Sequence, residues 1–425
     1  MNNKLHVAII AGGLGKRLQK IQKKPKILTN FSNTNILNII RKNLKKNNLK
    51  NINILCGKNT EEISKTLNKS NNIKLYQENR LLGTAGCLTK LEYKNLSKDI
   101  LIIFGDLLFN IDFKKFFYFH KNNGSDLTIF THPSDHLFDS DIIDTDEKNI
   151  VRNIFLKPHK KKIITKNITI AGIFIIKKKL LKEIPKNKKY DFSKNFIKNI
   201  INKKFKVMSY NSREYCKDFG TPKRLKRVRV DFINSKHKYL HNKNKIPAIF
   251  LDRDGVINKD QGPLKYSNPM NFFNNSLKAL IKLRKSEYLI FLITNQSGVA
   301  KGFISLNKLI NSFKKYEMHL SKKNFYFDKI YFCPHYPIKG YRGENKKFKI
   351  KCNCRKPKPG LIFKAKNEFN IDLSKSYFVG DSITDHQAAR RAKVKSILLN
   401  KVFANKRNYI YKRDILAATN YILKQ

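Results

Sequence analysis

The sequence predicts an α/β protein with two domains, and three observations support this prediction. Short apolar segments typical of buried strands alternate with helical segments along all 425 residues. Two of the apolar segments end in patterns typical of phosphate-handling sites, and a polar, basic stretch at residues 233–246 separates them. A chain of this length exceeds one ordinary core. We therefore predict domains over residues 1–232 and 247–425, joined by a linker over residues 233–246.

The predicted strands are eight apolar segments, and their composition favours parallel pairing. Strands buried on both faces are near-continuous apolar runs, which are typical of parallel sheets covered by helices. We therefore expect a Rossmann-like sheet in each domain. The segments are LHVAIIA, NINILCG, DILIIFGD and SDLTIFT in the first domain, and AIFLDRD, YLIFLITN, KIYFC and SYFVGD in the second.

Composition limits the classes of function. The chain has 89 Lys and Arg against 31 Asp and Glu, a formal net charge of +58, which raises nucleic-acid binding as one hypothesis. The lysines are spread from end to end, however, without a basic tail, a zinc-finger array or an RNA-binding aromatic motif. A solvated lysine surface that also attracts anionic substrates is the preferred interpretation, and nucleic acid is not an expected partner.

The apolar segments also bear on location. None approaches the length of a membrane span, and the N-terminal residues MNNKLHVAII enter a strand without the features of a signal peptide. We therefore expect a cytoplasmic protein with no membrane partner. A homo-oligomer is compatible with the sequence.

The first strand leads into a glycine-rich turn, Ala11 to Arg17. Glycines let the backbone turn sharply and direct N–H groups toward an anion. A P-loop would need glycine at Ile10 and Ser or Thr at Arg17, and a dinucleotide fingerprint would need a third small residue at Leu18. Both motifs are therefore excluded.

What remains, AGGxGxRL followed by Pro25 and Lys26, resembles the signature of the sugar-1-phosphate nucleotidylyltransferases. The resemblance extends through most of residues 5–225. Further segments match in the same order: ENRLLGTAG resembles the base-reading loop, IFGD places Asp106 at a strand end, TIAGIFII resembles the sugar-binding strand, and DFGTP places Asp218 before a turn.

The resemblance implies a nucleotide site. Gly13 and Arg17 would hold the nucleotide phosphates, Lys26 would face the transferred α-phosphoryl group, and Asp106 and Asp218 would hold Mg²⁺. These residue types suit the chemistry, because a sugar 1-phosphate oxygen must attack the α-phosphorus of a nucleoside triphosphate and both reactants are anions. The further contacts to nucleotide and sugar that the resemblance implies are Gly12, Glu78, Gly83, Thr84 and Gly172.

A second pattern begins at AIFLDRDGVIN, where an apolar strand ends in Asp252 and Asp254. Ligand sites of α/β domains form at this end of a strand. One carboxylate can attack phosphorus, while the other protonates the leaving oxygen and then activates water. Three later segments supply a hydroxyl, a lysine and two more acids: FLITNQSGVAKG has Thr294, CRKPKPG has Lys356, and FVGDSITD has Asp381 and Asp385.

Residues 247–400 thereby resemble the haloacid dehalogenase superfamily. The resemblance implies roles for four residues: Asp252 as nucleophile, Asp254 as acid and base, Thr294 as hydrogen-bond donor to the phosphoryl group, and Lys356 as the clamp on the phosphoryl charge. It also implies Mg²⁺ at Asp252, Asp254 and Asp381. The cation is also required by electrostatics, since two carboxylates would repel a phosphate. Lys358 is an alternative to Lys356. Neighbours of these motifs, Arg253, Asn295 and Arg355, are expected substrate contacts.

Only 40 positions separate Asp254 from Thr294, so this domain has no room there for a large cap. A small, open site suits a phosphate at the end of an extended polyol.

Four metal ligands lie close together in the second domain. Cys56, Cys87 and Cys216 are scattered, whereas CPHY supplies Cys333 and His335, and CNC supplies Cys352 and Cys354. Two close pairs of sulfur and imidazole ligands suit tetrahedral Zn²⁺ and leave no open position. We predict a structural zinc that holds the loop bearing Lys356. Free buried cysteines are the alternative.

The combination DRDGVIN, TNQSGVAKG, CPHxP and CxCRKPKPG resembles the zinc-loop branch that contains D,D-heptose 1,7-bisphosphate phosphatases and related histidinol-phosphatases. Removing the 7-phosphate of D-glycero-D-manno-heptose 1,7-bisphosphate yields heptose 1-phosphate, which a nucleotidylyltransferase could join to a nucleotide. We therefore predict a bifunctional enzyme of GDP-D-glycero-α-D-manno-heptose synthesis, using GTP, for lipopolysaccharide or surface polysaccharide. The alternatives are a nucleotidylyltransferase for another hexose 1-phosphate fused to a phosphatase for histidinol phosphate or another sugar phosphate, and a lysine-rich nucleic-acid-binding protein.

Overall fold

The computed structural model describes the whole chain except residues 1–4, 14, 16, 19–20, 23, 58–59, 68–71, 135–136, 160–162, 261, 263–269 and 400–408. The chain divides into two compact units. The first comprises Met1–His132, Phe138–His159 and Ile168–Lys243, and the second comprises Pro133–Leu137, Lys160–Asn167 and Asn244–Gln425. Among the described helices, none combines the length and the apolar character needed to cross a membrane.

The first unit contains thirteen strands among its described residues. They are β1 (Leu5–Ile10), β2 (Asn30–Phe31), β3 (Thr34–Asn35), β4 (Ile52–Cys56), β5 (Ile73–Gln77), β6 (Asp99–Phe104), β7 (Leu107–Phe109), β8 (Leu127–His132), β9 (Ile142–Thr145), β10 (Val151–Phe155), β11 (Thr169–Lys177), β12 (Val207–Asn211) and β13 (Cys216–Asp218).

The main sheet of this unit is parallel at its centre and mixed toward one side. β1 pairs in parallel with β4 and β6, and β4 pairs in parallel with β5. β11 runs antiparallel to β6 and β8, and β9 runs antiparallel to β10 and β11, whereas β12 pairs in parallel with β8. The predicted mostly parallel pairing therefore holds for β6, β1, β4 and β5 and fails around β11. Because β1, β4 and β6 are parallel, the loops after all three lie at one edge of the sheet.

A small ribbon brings two distant segments together beside that edge. β7 follows β6 after a two-residue turn, and β13 pairs antiparallel with β7, with Asp218 opposite Leu107. This pairing places Asp218 next to Asp106 in space, although 112 residues of chain separate them.

Helices pack on both faces of the main sheet around two apolar clusters. Side-chain caps define several helix starts: Asn35 caps α1, Asp112 caps α4, and Thr221 caps α6, which has proline at its first position. The helices are α1 (Ile36–Lys46), α2 (Thr60–Leu67), α3 (Gly83–Gly86), α4 (Phe113–Asn122), α5 (Lys198–Asn202), α6 (Pro222–Ile233) and α7 (Lys236–Tyr239).

The segment predicted as a linker is folded over much of its length. It contains α7, and His237 is buried and stacks on Phe232 with 4.8 Å between the ring centroids. Nδ2 of Asn110 donates to the backbone oxygen of His237. Residues up to Lys243 lie in the first unit.

The second unit has a parallel sheet of six strands among its described residues, in the order β16-β15-β14-β17-β18-β19. The four strands that the apolar segments predict here, β14, β15, β16 and β17, are present and paired in parallel as expected, and β18 and β19 extend the sheet with two further parallel strands. The strands are β14 (Ala248–Leu251), β15 (Leu289–Asn295), β16 (Lys329–Cys333), β17 (Tyr377–Gly380), β18 (Lys395–Leu398) and β19 (Ile410–Tyr411).

Five helices cover this sheet within the described residues, around one apolar cluster. Between Asp254 and Thr294 the described residues contain one α-helix, α8, and no cap domain. The helices are α8 (Ser276–Arg284), α9 (Leu306–Lys322), α10 (Gly360–Phe369), α11 (Ile383–Arg391) and α12 (Ile415–Ile422).

Candidate functional sites

The second unit brings its predicted motif residues to one edge of the parallel sheet. β14, β15 and β17 are neighbours, and Asp252, Thr294 and Asp381 lie at or just beyond their C-terminal ends. The backbone at Gly255, with φ +80°, passes so close to Asp381 that a Cβ atom would overlap its carboxylate. Glycine is therefore the residue that this turn accepts.

Lys356 reaches the same edge from the loop before α10. Its Nζ lies 2.9 Å from Oδ2 of Asp252 and 2.6 Å from Oδ1 of Asp385, and it donates to the backbone oxygen of Ile293 at 3.1 Å. Burial would lower the pKa of Lys356, but Asp252 and Asp385 raise it above its ordinary value. Lys358 is exposed and points to Asn353, so the geometry favours Lys356 as the clamp.

Asn295 holds the backbone on either side of that lysine side chain. Its Oδ1 accepts from the backbone N–H of Lys356 at 3.1 Å, and its Nδ2 donates to the backbone oxygen of Lys356, also at 3.1 Å. Both ends of the amide are thus used within the protein. These contacts support a positioning role for Asn295, whereas the sequence predicted a substrate contact.

Three carboxylates form an acidic group at this edge: Asp252, Asp381 and Asp385 each offer an oxygen within 4.8 Å of the other two. Burial raises the pKa of Asp252 to about 7, and burial, followed by the charge of Asp385, raises that of Asp381 to about 6. Mg²⁺ prefers carboxylate oxygens and would stabilise the charged forms. Asp385 is fully buried and contacts Lys356 and Ser382, whereas Asp252 and Asp381 are partly exposed, so Asp252 and Asp381 are the more accessible ligands for a cation.

Asp254 lies outside this acidic group and is held by two neighbours. Arg253, 1 % exposed, pairs with Asp254 through Nε at 3.0 Å and Nη2 at 3.1 Å. Gln296 donates from Nε2 to Oδ2 of Asp254 at 3.1 Å and to Oγ1 of Thr294 at 2.9 Å. Arg253 therefore contacts the predicted acid–base residue, and its substrate contact stays a prediction. Both oxygens of Asp254 contact Arg253, and Asp254 is not in the group of described acids whose oxygens lie within 4.8 Å of one another.

The four predicted zinc ligands lie together. Sγ of Cys333 is 3.6 Å from Sγ of Cys352 and 3.2 Å from Sγ of Cys354, and Nδ1 of His335 is 3.2 Å from Sγ of Cys354. These cysteines are free thiols. Tetrahedral ligands on Zn²⁺ at about 2.3 Å would be separated by about 3.8 Å, close to the observed spacing. The donor set and its spacing fit a structural zinc.

The pKa values of the Cys354 and Cys333 thiols shift in opposite directions. The hydrogen bond from Cys333 lowers the pKa of Cys354 to about 5, which favours a thiolate, the form that binds metal. The same hydrogen bond raises the pKa of Cys333. Arg355, next in sequence, donates from Nη1 to the backbone oxygen of His335 at 3.3 Å and lies 4.9 Å from the Tyr336 ring centroid. Contacts with His335 and Tyr336 thus hold Arg355 next to the predicted zinc ligands.

In the first unit, the glycine-rich turn after β1 meets the loops after β4 and β5. A Cβ atom at Gly12 would lie 2.6 Å from Oε2 of Glu78 and 3.3 Å from the backbone nitrogen of Gly57. Glu78 is 5 % exposed, its Oε1 accepts from the backbone N–H of Leu82 at 3.2 Å, and burial raises its pKa. Close backbone approach explains glycine at positions 12 and 57.

Predicted phosphate and metal residues meet around Gly220. Measured from the position that a Cβ atom would take there, Nη2 of Arg17 lies 3.4 Å away, Oδ1 of Asp218 3.5 Å and Oδ2 of Asp106 3.7 Å. Nζ of Lys26 lies 2.9 Å from Oδ2 of Asp106. Two neighbouring carboxylates are a donor set that suits Mg²⁺.

A cavity of about 140 Å³ lies beside these residues. It is lined by Gly13, Lys26, Thr84 and Asp106, together with Ile10, Ala11, Ile27, Phe104 and Gly105. Leu14 and Lys16 of the glycine-rich turn lie outside the described residues. The predicted phosphate-binding turn, lysine and acid thus share one cavity.

The residues that the resemblance assigns to the nucleoside and the sugar make close contacts within the protein. Gly83 has φ +81° and lies against the backbone oxygen of Tyr190. Oγ1 of Thr84 donates to Oδ2 of Asp191 at 3.0 Å and accepts from the backbone N–H of Phe192 at 2.8 Å. Gly172 is buried, with φ +80°, at an irregularity in β11, where a Cβ atom would lie 3.2 Å from side-chain atoms of two neighbours.

Three contacts at these sites were not among the sequence predictions, although the sequence analysis named Asp385 itself. Arg224 binds Asp218 through Nη1 at 2.7 and 2.9 Å, Asp385 pairs with Lys356, and Gln296 joins Asp254 to Thr294. Asp385 and Gln296 lie inside motifs that the sequence displays, so their positions were accessible. Arg224 lies two residues after DFGTP, and no sequence signal marked it.

Comparison with known proteins gives matches for both units. A family model described as nucleotidyl transferase matches residues 7–235, a little over half of the chain, and one described as HAD-hydrolase-like matches residues 353–407. D-glycero-β-D-manno-heptose-1,7-bisphosphate 7-phosphatases are similar to the C-terminal part. The protein of Photorhabdus laumondii is 38 % identical over 149 residues, 35 % of this chain and 77 % of that protein. That of Pasteurella multocida is 40 % identical over 154 residues, 36 % and 81 % respectively.

Two solved structures are also similar. HddC from Yersinia pseudotuberculosis is 25 % identical and covers 53 % of this chain and 99 % of its own, with a TM-score of 0.47. The D,D-heptose 1,7-bisphosphate phosphatase from B. bronchiseptica, complexed with magnesium and phosphate, is 30 % identical and covers 42 % of this chain and 99 % of its own, with a TM-score of 0.37.

Proposed function

Because the chain belongs to the nucleotidyl transferase family over residues 7–235 and to the D-glycero-β-D-manno-heptose-1,7-bisphosphate 7-phosphatase family in its C-terminal part, we propose that it catalyses two consecutive reactions. The second unit removes the 7-phosphate of a heptose 1,7-bisphosphate. The first unit transfers GMP from GTP to the resulting heptose 1-phosphate. The observation that supports this most strongly is the contact of Lys356 with both Asp252 and Asp385. Asp254 lies beside this group and is held separately by Arg253.

The phosphatase chemistry follows from these positions. A carboxylate oxygen of Asp252 attacks phosphorus, and Asp254 protonates the departing O7 of the sugar. Water, deprotonated by Asp254, then hydrolyses the aspartyl-phosphate and releases inorganic phosphate. Lys356 offsets the charge of the phosphoryl oxygens, and Thr294 donates a hydrogen bond to one of them. Asp252 and Asp381 would hold Mg²⁺, which would supply further positive charge.

Residue types in the first unit suit transfer from a nucleoside triphosphate. Arg17 and the Gly12–Gly13 backbone bind the phosphates, and Lys26 turns from Asp106 toward the α-phosphoryl group. An oxygen of the sugar phosphate displaces pyrophosphate from the α-phosphorus. Mg²⁺ at Asp106 and Asp218 would supply charge here as well. Glu78 and Thr84 contact the nucleoside and Gly172 the sugar, by resemblance to the family.

Zinc would have a structural role. We propose that Cys333, His335, Cys352 and Cys354 bind one Zn²⁺, because their donor atoms are grouped and one thiol favours the thiolate form. With four protein ligands no position is open for substrate. Since nucleoside triphosphates are cytoplasmic metabolites, we place the reactions in the cytoplasm.

The anomer needs a direct test. The sequence led us to expect the α-anomer, whereas the phosphatase relatives are named for the β-anomer. Both units must accept the same anomer if the reactions are consecutive. We therefore propose assays with the α- and β-bisphosphates side by side.

The decisive experiment is product identification. The protein is incubated with each bisphosphate anomer, Mg²⁺ and one of four nucleoside triphosphates, and products are identified by mass. The proposal predicts inorganic phosphate, pyrophosphate and a GDP-heptose without a 7-phosphate, from one anomer. Hydrolysis of histidinol phosphate with no reaction of either heptose bisphosphate would contradict it.

A further inference from the structure

Arg224 joins two carboxylates beside the candidate nucleotide site. Its Nη1 lies 2.7 Å and 2.9 Å from the two oxygens of Asp218. Its other amino group, Nη2, binds the carboxylate of Asp139 and also donates to the backbone oxygen of Asp139 at 3.4 Å. One guanidinium therefore bridges a strand-end acid and a separate loop.

The local structure fixes this guanidinium in place. Arg224 lies in the first turn of α6, where its backbone N–H donates to Oγ1 of the capping residue Thr221 at 3.3 Å. Pro222 at the first helical position restricts the backbone further. The Arg224 side chain is 16 % exposed, although Asp218 and Asp139 are 43 % and 65 % exposed. The bridge is thus anchored from the helix side.

The loop at the far end of the bridge is itself tied down. Lys157 donates from Nζ to the backbone oxygen of Asp139 at 3.3 Å and from its backbone N–H to Oδ1 of Asp141 at 3.2 Å. Ring nitrogen Nε2 of His159 lies 2.6 Å from the backbone oxygen of Ser140. Arg224 therefore holds Asp218 against an ordered support.

The two acids of the candidate metal site have different cationic partners. Asp106 pairs with Lys26, a single-point contact from a side chain that lines the cavity. Asp218 pairs with Arg224, which is not among the described residues that line this cavity. Lys26 can thus leave its acid for a phosphate, whereas Arg224 has a second carboxylate that keeps it at Asp218.

We propose that Arg224 is a positioning residue for nucleotidyl transfer, holding the Asp218 carboxylate beside Asp106 through its bridge to Asp139. The proposal rests on the nucleotidyl transfer proposed above. Arg224 does not contact substrate in this role. It offsets repulsion between neighbouring acids and fixes the rotamer of one of them.

The test compares Arg224→Gln, Arg224→Lys and Asp139→Asn in the full chain. We expect Arg224→Gln to lower kcat for sugar-nucleotide formation about 10- to 100-fold with little change in the KM for heptose 1-phosphate, because geometry and not binding is lost. Arg224→Lys should recover little, since one amino group cannot bridge two acids. Asp139→Asn removes only the outer contact and should have a smaller effect. Phosphate release and the melting temperature should stay at wild-type values.

Binding of Mn²⁺ to the nucleotide-free variants gives a second readout. Arg224→Gln should bind Mn²⁺ at least as tightly as wild type, because a cation that competes for Asp218 is gone, whereas Asp218→Asn should bind it less tightly. Unchanged kcat in Arg224→Gln, weaker Mn²⁺ binding than in wild type, or a lower melting temperature would each overturn the proposal. If wild type transfers no nucleotide to any heptose phosphate, the proposed substrate fails, and the Mn²⁺ comparison still decides the role of Arg224.

Discussion

The amino group of Lys356 stays charged in a buried site because two carboxylates face it. Burial alone penalises a charged lysine, but Asp252 and Asp385 lie 2.9 Å and 2.6 Å from Nζ and raise its pKa. Removing one member of such a buried pair typically costs about 3–5 kcal/mol, because the other is left without a partner. Replacing Lys356 by a neutral residue should therefore lower the stability of the second unit as well as its proposed activity.

Asp106 gives the corresponding prediction for the first unit. Asp106→Asn keeps the shape of the side chain but removes the charge that pairs with Lys26 and that would help hold Mg²⁺. Sugar-nucleotide formation should fall about 10²- to 10³-fold, the size typical for loss of one preorganised electrostatic contact. The assay follows nucleotide sugar from supplied heptose 1-phosphate. Phosphate release is the internal control, and a normal transfer rate would remove the role assigned to Asp106.

At the scale of single residues, motif spacing predicted which side chains meet but not all of their partners. Asp252, Thr294, Lys356 and Asp381 converge as predicted because parallel strands end at one edge. The guanidinium of Arg253 points to Asp254, which spacing could not show, since the direction of a side chain depends on packing around Phe313 and Gln296. Long-range partners require the folded chain.

The loop between β16 and α10 provides the first prediction at the scale of elements. Cys352→Ser should lower bound zinc from close to one equivalent per chain to a small fraction, measured by elemental analysis. Phosphatase activity should fall with it, because the loop that holds Arg355 and Lys356 loses its anchor. Added Mg²⁺ should not restore it.

The control variant changes a cysteine of the first unit. Cys56→Ser, at a buried thiol of β4, leaves the zinc loop intact and should keep its zinc. Zinc-free wild-type protein with full phosphatase activity would refute the structural role. Equal loss of nucleotidyl transfer in Cys352→Ser would show that the two units are not independent.

Glu214 is a buried carboxylate whose hydrogen bonds link the segment after α7 to the rest of the first unit. Its burial predicts a pH effect on stability. Burial raises the pKa of Glu214 to about 7, although its Oε1 accepts from the backbone N–H groups of Asp112 and Asn242. An unfolded chain releases this proton near pH 4.5. Between pH 4.5 and 7 the unfolded state therefore binds fewer protons, and this group lowers stability as pH rises.

Glu214→Gln removes that titration. The melting temperature of the variant minus that of wild type should increase from pH 5 to pH 8. The corresponding change in the difference of unfolding free energies has an upper limit of about 3 kcal/mol. Glu61→Gln, at an exposed position of α2, is the control and should give a constant difference. The same pH dependence in Glu214→Gln and wild type would contradict the assignment.

Among the elements, the apolar segments predicted the central strands well and the edges less well. Near-continuous apolar runs identified β1, β4, β6 and β14 because both faces of these strands are buried. The antiparallel pairing of β11 was not predicted, since strand direction depends on how distant segments connect. The polar segment at residues 233–246 was predicted as a linker, but its His237 stacks on Phe232 of the preceding helix, and residues 236–239 are helical.

At the scale of the whole molecule, one chain contains two sites whose proposed reactions share an intermediate. In the proposed scheme the product of the second unit is the substrate of the first, and the two sites are equal in number because one chain carries both. The formal charge of +58 favours retention of anionic phosphorylated sugars near the protein. The sequence predicted this pairing from two separate motif sets, while the anomer depends on contacts that motifs do not specify.

The order of the two reactions is the central claim, and a time course with Asp252→Asn tests it most directly. Wild type supplied with heptose 1,7-bisphosphate, GTP and Mg²⁺ should form heptose 1-phosphate first and then GDP-heptose without a 7-phosphate, followed by mass spectrometry. Asp252→Asn should release no phosphate and form no such GDP-heptose from the bisphosphate. It should still convert supplied heptose 1-phosphate at the wild-type rate. A variant that fails with supplied heptose 1-phosphate, or a wild-type product that keeps the 7-phosphate, would contradict the account.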